Sequence, residues 1–400
     1  MAVVEEIEQI GTADIVVGLI PPSSDSQELE GAIARIVESA APLRAVLVFP
    51  PYSPNSTESA AGASPWRLLA EPRLAQDRSA LAQSLGDSFR TVFGIAQKLG
   101  ARACALVASD PSTVTAEGVE MLLHPALEGQ FDLIAPCYAR HPFDGMINRA
   151  IVYPLVRALY GKQIRNPLGP DFGISGALLE RMCERPSARV NLLVSLTPEA
   201  VTGDLRICQA HLGLHRYAVP DWTNLSSLLA QLLGPLFLDV ERHAAWWQRP
   251  RVSQPVAEFG VPMFAPGPES VVDVTRLIES FQLGARNLPE VWGIILAPST
   301  LMELRKLARQ PAAAFRMPDE TWARIVYDFV LAHRLRAINR DQMLRALTPI
   351  YLGWVASYAL EVENTAPEFV EQRLERLCVA YENNKPNFVA RWRWPDRFNP

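Results

Sequence analysis

Cysteine motifs are absent from this sequence of 400 residues. The five cysteines are far apart and form no CxxC pair, which argues against both a zinc site and a disulfide framework. An excess of positive charge is lacking too, because 38 basic residues stand against 43 acidic ones and the net charge is −5. A chain with this balance has no electrostatic footprint for a polyanion, so we expect no nucleic-acid partner.

Long apolar runs are also missing. No run reaches the roughly 18 residues of a spanning helix, and the nearest, LLAQLLGPLFLDV, is interrupted by Gly234 and Pro235. The first residues, MAVVEEIEQI, hold glutamates and no positive segment before an apolar core, so no secretory signal is predicted. We therefore expect a cytoplasmic protein without a membrane span. Patterns for a P-loop, a GxSxG elbow or a dinucleotide fingerprint are absent as well.

Short apolar runs alternate with helical patterns in the first half of the chain. The strand candidates are IVVGLI, RAVLVFP, CALVA and QFDLIAPCY. Helical spacing separates them in LEGAIARIVESA and DSFRTVFGIAQKLGA. This order predicts an α/β fold, a mostly parallel sheet with helices on both faces. A Pro-rich joint and then purely helical patterns follow, so we predict an α/β domain over 1–240, a joint over 241–268 and an all-helical domain over 269–400.

Local signals mark several helix boundaries. Thr300 with Glu303, and Thr365 with Glu368, have the spacing of a capping box, which indicates two helix starts. Pro154 interrupts a helical pattern in the middle of the chain. Because proline lacks an N–H, we predict a kink there.

Asp110 follows the apolar run that ends at Ala108, where a strand is predicted to end. Ligands of parallel sheets bind at the carboxyl ends of strands, so a carboxylate there is a candidate ligand for a hard cation. The alternative is that Asp110 caps the turn that follows it, a frequent role of aspartate. A metal site needs several oxygen ligands, and Asp110 is a lone acid at this strand end.

Three other segments carry candidate groups. Arg140, His141 and Asp144 follow a strand candidate and form either a site for an anion, through the fork of the arginine, or a solvated loop with local ion pairs. Asp171 lies between two glycines, in a tight turn that either presents a carboxylate and free amides or is an ordinary turn. His215 follows another strand candidate and is either a metal ligand or a structural histidine.

The run that joins these segments resembles one known family closely. DLIAPCYARHPFDGMINRAIVYPLVRALYGKQIRNPLGPDFGIS resembles the central block of retaining GT-A glycosyltransferases of the glucosylglycerate, mannosylglycerate and glucosyl-3-phosphoglycerate synthase type. The helical half resembles the C-terminal domain of these synthases in MPDETWARIVYDFVLAH, LTPIYLGWVASY and AYENNKPNFVARW. The resemblance implies a GT-A fold with a C-terminal all-helical domain. It also implies the transfer of a hexose from a nucleotide-diphosphate sugar to a small hydroxy acid such as glycerate, with retention.

The resemblance also assigns roles to single residues. The family's acidic metal motif falls on Ala108, Ser109 and Asp110, so Asp110 and His215 would hold a divalent Mg2+ or Mn2+ ion and the donor's diphosphate. Arg140 matches the arginine that receives the carboxylate of the acceptor. The other substrate-side positions are His141, Asp144, Asn148, Arg165 and Gly169, and the other donor-side positions are Pro21, Ser23, Gly86 and Asp87. The catalytic positions are Asp171 and Asn191.

Several positions depart from the family pattern. The first acid of the metal motif is Ala108, a donor-side lysine is Leu85, and a catalytic carboxylate is replaced by the amide of Asn191. The lost acid weakens cation binding, and the lost lysine removes positive charge near the departing diphosphate. The amide of Asn191 can neither take a proton nor stabilise positive charge as a carboxylate would. Two functions therefore stay open: a working hexosyltransferase, or a catalytically degenerate GT-A scaffold, with metal binding weakened or lost, that binds a ligand or a partner subunit. Because the helical domain of such synthases often helps to build a dimer, the resemblance also implies a homodimer.

Overall fold

A computed structural model of the chain describes residues 7–20, 26–39, 43–49, 66–70, 81–184, 192–214, 225–249, 252–263, 272–363 and 365–395. The chain divides into two compact units. Unit 1 comprises Met1–Arg140, Ile164–Ala218 and Pro255–Ala265. Unit 2 comprises His141–Gln163, Val219–Gln254 and Pro266–Pro400. Each unit therefore draws on parts of the chain that are distant in sequence.

Unit 1 contains a large mixed sheet. The strands of the described residues are β1 (Ile15–Leu19), β2 (Ala45–Phe49), β3 (Trp66–Ala70), β4 (Ala103–Val107), β5 (Leu133–Ala139), β6 (Lys162–Gln163), β7 (Asp171–Ser175), β8 (Ile207–Leu214), β9 (Gln254–Pro255) and β10 (Ala257–Phe259). Eight of them form this sheet in the order β10-β8-β5-β7-β4-β1-β2-β3. Neighbouring strands are parallel, except that β7 runs antiparallel to both β4 and β5.

Helices account for most of the remaining described residues. They are α1 (Ser26–Ser39), α2 (Leu81–Lys98), α3 (Ala116–Leu127), α4 (Tyr153–Tyr160), α5 (Gly176–Cys183), α6 (Leu192–Thr202), α7 (Leu225–Arg242), α8 (Ala244–Trp247), α9 (Val274–Asn287), α10 (Pro289–Ile295), α11 (Pro298–Leu307), α12 (Asp319–Leu335), α13 (Arg340–Ala346), α14 (Thr348–Val362) and α15 (Pro367–Arg393). Within the described ranges, none of these helices is long and apolar enough to cross a membrane.

Helices cover both faces of the sheet in unit 1. Ile15 and Val17 of β1 face a core cluster to which α1 and α3 also contribute apolar side chains. Gly18 points to the opposite face, because side chains alternate along a strand. A Cβ at Gly18 would lie 2.6 Å from the side chain of Val92 in α2, so only glycine lets this helix approach β1 so closely. Because both faces are covered, β1 and β4 are buried along their whole length.

The predicted fold class is confirmed. The sheet is mostly parallel, and its one antiparallel strand, β7, is inserted between β4 and β5. The described part of the chain from Val274 to Arg393 forms helices and no strand, which agrees with the predicted C-terminal helical region.

A π-helical turn, Asn148–Val152, leads into α4 near the predicted kink. Pro154 has no N–H, so it leaves the carbonyl of Ala150 without the bond that an α-helix would supply. The indole N–H of Trp322 and the hydroxyl of Tyr381 donate to this carbonyl at 2.8 and 2.9 Å. Aromatic side chains of α12 and α15 therefore stabilise the turn within unit 2.

Two buried charges of unit 2, Arg157 and Asp328, are paired with opposite charges on α15. Arg157 of α4, which is 3% exposed, bonds Glu375 and Glu382 of α15. Asp328 of α12 is fully buried, and its carboxylate lies 2.6 Å from the guanidinium of Arg391 in α15. Burial raises the pKa of Asp328, and the positive charge of Arg391 opposes that rise. These pairs tie α15 to α4 and to α12.

Candidate functional site

Asp110 lies at the topological switch point of the sheet. On one side of β1 lie β2 and β3, and on the other lie β4 and the remaining strands. Ligands of open α/β sheets bind outside the carboxyl ends of the strands at such a point, so the ends of β1 and β4 define the candidate site. The amide of Ile20, just past β1, donates to the carbonyl of Val107 at 2.7 Å and joins these two strand ends.

The turn that carries Asp110 is held by its own polar groups. Asp110 Oδ1 accepts the backbone amide of Ser112 at 2.9 Å and the hydroxyl of Ser112 at 2.7 Å. Thr113 donates its amide and its hydroxyl to the Asp110 carbonyl at 2.9 and 2.7 Å. Among the described residues, none donates to Oδ2 of Asp110. The side chain therefore closes a local Asx turn through Oδ1, and Oδ2 takes no part in that turn.

Asp171 begins β7 directly opposite Val107, the last residue of β4. Its carboxylate is buried: Oδ1 accepts the amides of Ala108 at 2.8 Å and Ser109 at 3.0 Å. Oδ2 accepts the hydroxyl of Tyr138 at 2.5 Å. Burial raises the pKa of Asp171, and the hydrogen bonds oppose this rise because they favour the ionised form. Both carboxylate oxygens are thus engaged by neutral groups of the protein itself.

Three substrate-side candidates of unit 1 lie beside β5 and β8. The guanidinium of Arg140 lies over the ring of Tyr138, 4.7 Å from the ring centre. A Cβ at Gly169 would lie 2.1 Å from Pro136 Cγ, so glycine is required where this turn approaches β5. The backbone amide of Arg165 donates to a glutamine side chain of β8 at 2.5 Å.

The substrate-side candidates of unit 2 follow one another along the chain. His141 is buried, and its Nδ1 accepts the amide of Phe143 at 3.3 Å, which places the proton of the neutral ring on Nε2. The amide of Asp144 donates to the carbonyl of His141 at 2.9 Å. Asn148 begins the π-helical turn. The bond between Asp144 and His141 therefore closes a turn that keeps these two residues close together.

The donor-side candidates are only partly described. Gly86 and Asp87 lie in α2, where the carboxylate of Asp87 accepts from Arg90 at 3.1 Å. Four predicted residues lie outside the described residues: Pro21, Ser23, Asn191 and His215. Within the described part of the chain, no cluster of three His, Cys, Asp or Glu side chains includes Asp110. The second ligand predicted for a cation, His215, therefore stays a prediction.

Tyr138 is a polar residue of this edge that sequence reasoning did not identify. It lines a cavity of about 20 Å³ together with Ser109, Thr113 and Asp171. That volume holds one or two water molecules, so the described residues here offer polar contacts and not an enclosed nucleotide pocket. The sequence could have indicated Tyr138 by its position near the end of a strand, two residues before Arg140.

Comparison with known proteins gives similar solved structures only. Glucosyl-3-phosphoglycerate synthase from Mycobacterium tuberculosis, in complex with Mn2+, uridine-diphosphate-glucose and phosphoglyceric acid, is 16% identical, with a TM-score of 0.40 over 60% of this chain and 84% of that chain. The same enzyme with Mn2+, uridine-diphosphate and glucosyl-3-phosphoglycerate is 18% identical, with a TM-score of 0.39 over 60% and 83%. A mycobacterial protein is 18% identical, with a TM-score of 0.40 over 66% and 83%. No family model and no curated protein sequence matches the chain.

Proposed function

We propose that this chain is a glycosyltransferase that moves a hexose from a nucleotide-diphosphate sugar to a small hydroxy acid such as glycerate, with retention. The observation that carries this proposal is the carboxylate of Asp110, which lies past the end of β4 at the switch point of the sheet and keeps Oδ2 for a ligand. The resemblance of the central block, from Asp132 to Ser175, supplies the reaction class.

A divalent cation fits the groups at this edge. Mg2+ is often held by one or two carboxylates and by phosphate oxygens of the substrate, so a single carboxylate from the protein suffices. Asp110 would hold the ion, with His215 as the second predicted ligand. When bound, the ion supplies positive charge that stabilises the departing diphosphate. The other candidate residues would bind and orient the two substrates.

The acceptor would be held by its carboxylate. The fork of Arg140 matches a carboxylate with two parallel hydrogen bonds, and the Tyr138 ring beneath it restricts how the guanidinium turns. His141, Asp144, Asn148, Arg165 and Gly169 are the further acceptor-side candidates. Orienting an acceptor hydroxyl in this way lowers the entropic part of the barrier.

One observation favours a second candidate function, a catalytically degenerate scaffold that binds a ligand or a partner subunit. The Oδ1 atom of Asp110 already closes a turn with Ser112, which is the ordinary structural use of aspartate at a strand end. If this is its whole role, the chain binds no nucleotide through a metal.

Thermal unfolding with UDP, GDP and their sugars, each with and without Mn2+, separates the two candidates. A ligand that binds the folded state raises stability by RT ln(1 + [L]/Kd). We expect one nucleotide to raise the melting temperature only with Mn2+, and that nucleotide names the donor for a product assay with glycerate. Asp110→Asn should abolish the Mn2+-dependent part, because an amide still accepts from Ser112 but carries no charge. The exposed Glu128→Gln is the control, and no shift with any nucleotide would favour the scaffold.

A further inference from the structure

The carboxylate of Asp171 joins the ends of two strands that are not neighbours. β7 lies between β4 and β5, so its first residue reaches both. From β7, Oδ1 binds the amides of Ala108 and Ser109, just past β4. Oδ2 binds the hydroxyl of Tyr138, which lies on β5. One side chain thus fixes the backbone directly before Asp110.

The chemistry of this contact suits fixation better than proton transfer or substrate binding. A buried carboxylate needs hydrogen-bond donors, and two amides and the hydroxyls of Tyr138 and Ser109 surround this one, which is 3% exposed. A bond from an O–H to a carboxylate is among the stronger hydrogen bonds of proteins. A sugar hydroxyl that bound Asp171 would have to displace one of these donors and leave it buried without a partner.

The turn is therefore held from both sides. Asp171 fixes the amides of Ala108 and Ser109, and Ser112 and Thr113 fix the carboxylate and the carbonyl of Asp110. Between these anchors the chain has little freedom to move the Asp110 carboxylate. Fixation of this kind lowers the entropic cost of binding a ligand.

We propose that Asp171 and Tyr138 are positioning residues, which hold the turn of Asp110 in the geometry that binds the donor's diphosphate and its cation without touching the substrate themselves. This inference rests on the proposed function. It gives the carboxylate of Asp171 a different task from the catalytic one that the resemblance implies.

Substitutions of Tyr138 and Asp171 test this proposal in the full chain. Tyr138→Phe keeps the ring beneath Arg140 and removes only the hydroxyl that bonds Asp171. Asp171→Asn keeps an oxygen acceptor for the two amides and offers an N–H to the tyrosine oxygen, so it should restore most of the geometry that Asp171→Ala removes. Tyr160→Phe is the matched control, because the Tyr160 hydroxyl donates at 3.2 Å to another buried aspartate, Asp239, within unit 2.

Amide hydrogen exchange of the ligand-free protein, measured by NMR, gives the first result. Loss of a hydrogen bond to a charged group should speed exchange at Ala108 and Ser109 about tenfold or more in Tyr138→Phe, and further in Asp171→Ala. Asp171→Asn and Tyr160→Phe should leave these two rates near those of the wild-type protein. Unchanged rates at Ala108 and Ser109 in both Tyr138→Phe and Asp171→Ala would overturn the inference, whatever the chain binds.

Calorimetric titration with UDP and Mn2+ gives the second result, at a temperature where every variant is folded. We expect Tyr138→Phe and Asp171→Ala to weaken binding about tenfold, and Asp171→Asn to bind more tightly than Asp171→Ala. A merely structural role would lower the melting temperature and leave Kd unchanged. Faster exchange with an unchanged Kd would overturn the positioning role. Wild-type protein that binds neither UDP nor GDP with Mn2+ would overturn the proposed function, and the exchange rates would then decide separately whether the pair fixes the turn.

Discussion

Two buried aspartates, Asp171 in unit 1 and Asp328 in unit 2, are stabilised in different ways. In unit 1 the carboxylate of Asp171 receives hydrogen bonds from two amides and a phenol. In unit 2 Asp328 faces Arg391, and the buried Arg373 lies 2.7 Å from Asp319. Neutral donors orient a carboxylate but do not require its charge, whereas an ion pair needs both charges. The contacts of Asp171 therefore depend on hydrogen-bond geometry, and the pair of Asp328 with Arg391 depends on charge.

The largest expected effect comes from replacing Asp328 by asparagine and comparing the result with the same change at Asp171. Asp328→Asn leaves the mostly buried guanidinium of Arg391 without its counter-charge, so we expect a loss of about 3–5 kcal/mol in the free energy of unfolding. Asp171→Asn keeps an acceptor for its amides and should cost about 1 kcal/mol. Urea unfolding, followed by tryptophan fluorescence and circular dichroism, measures both.

An exposed ion pair is the control for this prediction. Asp341 and Arg345 lie four residues apart in α13, with side chains 62% and 52% exposed. Asp341→Asn should therefore cost no more than about 0.5 kcal/mol. Equal losses for Asp328→Asn and Asp171→Asn would show that charge matters no more at Asp328 than at Asp171.

The carbonyl of Ala150 extends this comparison, because in unit 2 it accepts from two neutral donors, as the carboxylate of Asp171 does in unit 1. Tyr381→Phe removes one of its two donors and should cost about 1 kcal/mol. Combined with Trp322→Phe, it leaves a buried carbonyl with no partner, so the double variant should lose about 1–3 kcal/mol more than the two single variants together. A double-mutant cycle on unfolding free energies measures this excess. Strict additivity would mean that the carbonyl finds another donor.

His333 provides a test by pH. This buried histidine of α12 has a pKa lowered to about 4, from an ordinary 6.5, by burial and by the positive charge of Arg340. Above about pH 7 it is neutral in both the folded and the unfolded chain and has no effect. Below 6.5 the unfolded chain takes up a proton that the folded chain does not, so stability falls, by about 2 kcal/mol at pH 5.

The comparison of wild-type protein with His333→Gln isolates this titration. The unfolding free energy of the variant should lose about 2 kcal/mol less between pH 7 and pH 5 than that of the wild-type protein. Parallel pH dependence of the two proteins would rule out His333 as the cause.

Local patterns predicted β1, β2, β4 and β5 and the place of Asp110 correctly, because burial on both faces produces continuous apolar runs, but they did not predict β3 or β10. The run from Cys104 to Ala108 overlaps β4, and IVVGLI contains β1. The insertion of β7 as an antiparallel strand was not predicted. Strand order and register depend on contacts across the whole chain, and the bonds from Asp171 to the end of β4 join residues 62 and 63 apart in sequence.

Helices begin near both predicted capping boxes, but neither box forms the cap. Instead, α11 begins at Pro298 after Ala297, and α15 begins at Pro367 after Ala366, without a side-chain cap in either case. Proline suits the first helical position because its missing N–H would have no partner there. Near Pro154, where a kink was predicted, the chain forms a π-helical turn. The donors to the Ala150 carbonyl lie on helices about 170 and 230 residues further along the chain, so the local sequence could not predict them.

During synthesis the chain emerges from its amino end, and α4 leaves the ribosome long before α15 exists. Every residue of α4 is buried in the finished protein, and its Arg157 is paired with glutamates of the last helix. The last strand of unit 1, by contrast, is complete at Phe259. A nascent chain therefore carries α4 without the partners that α15 supplies until this last helix has been made, and chaperones bind exposed apolar surfaces of this kind.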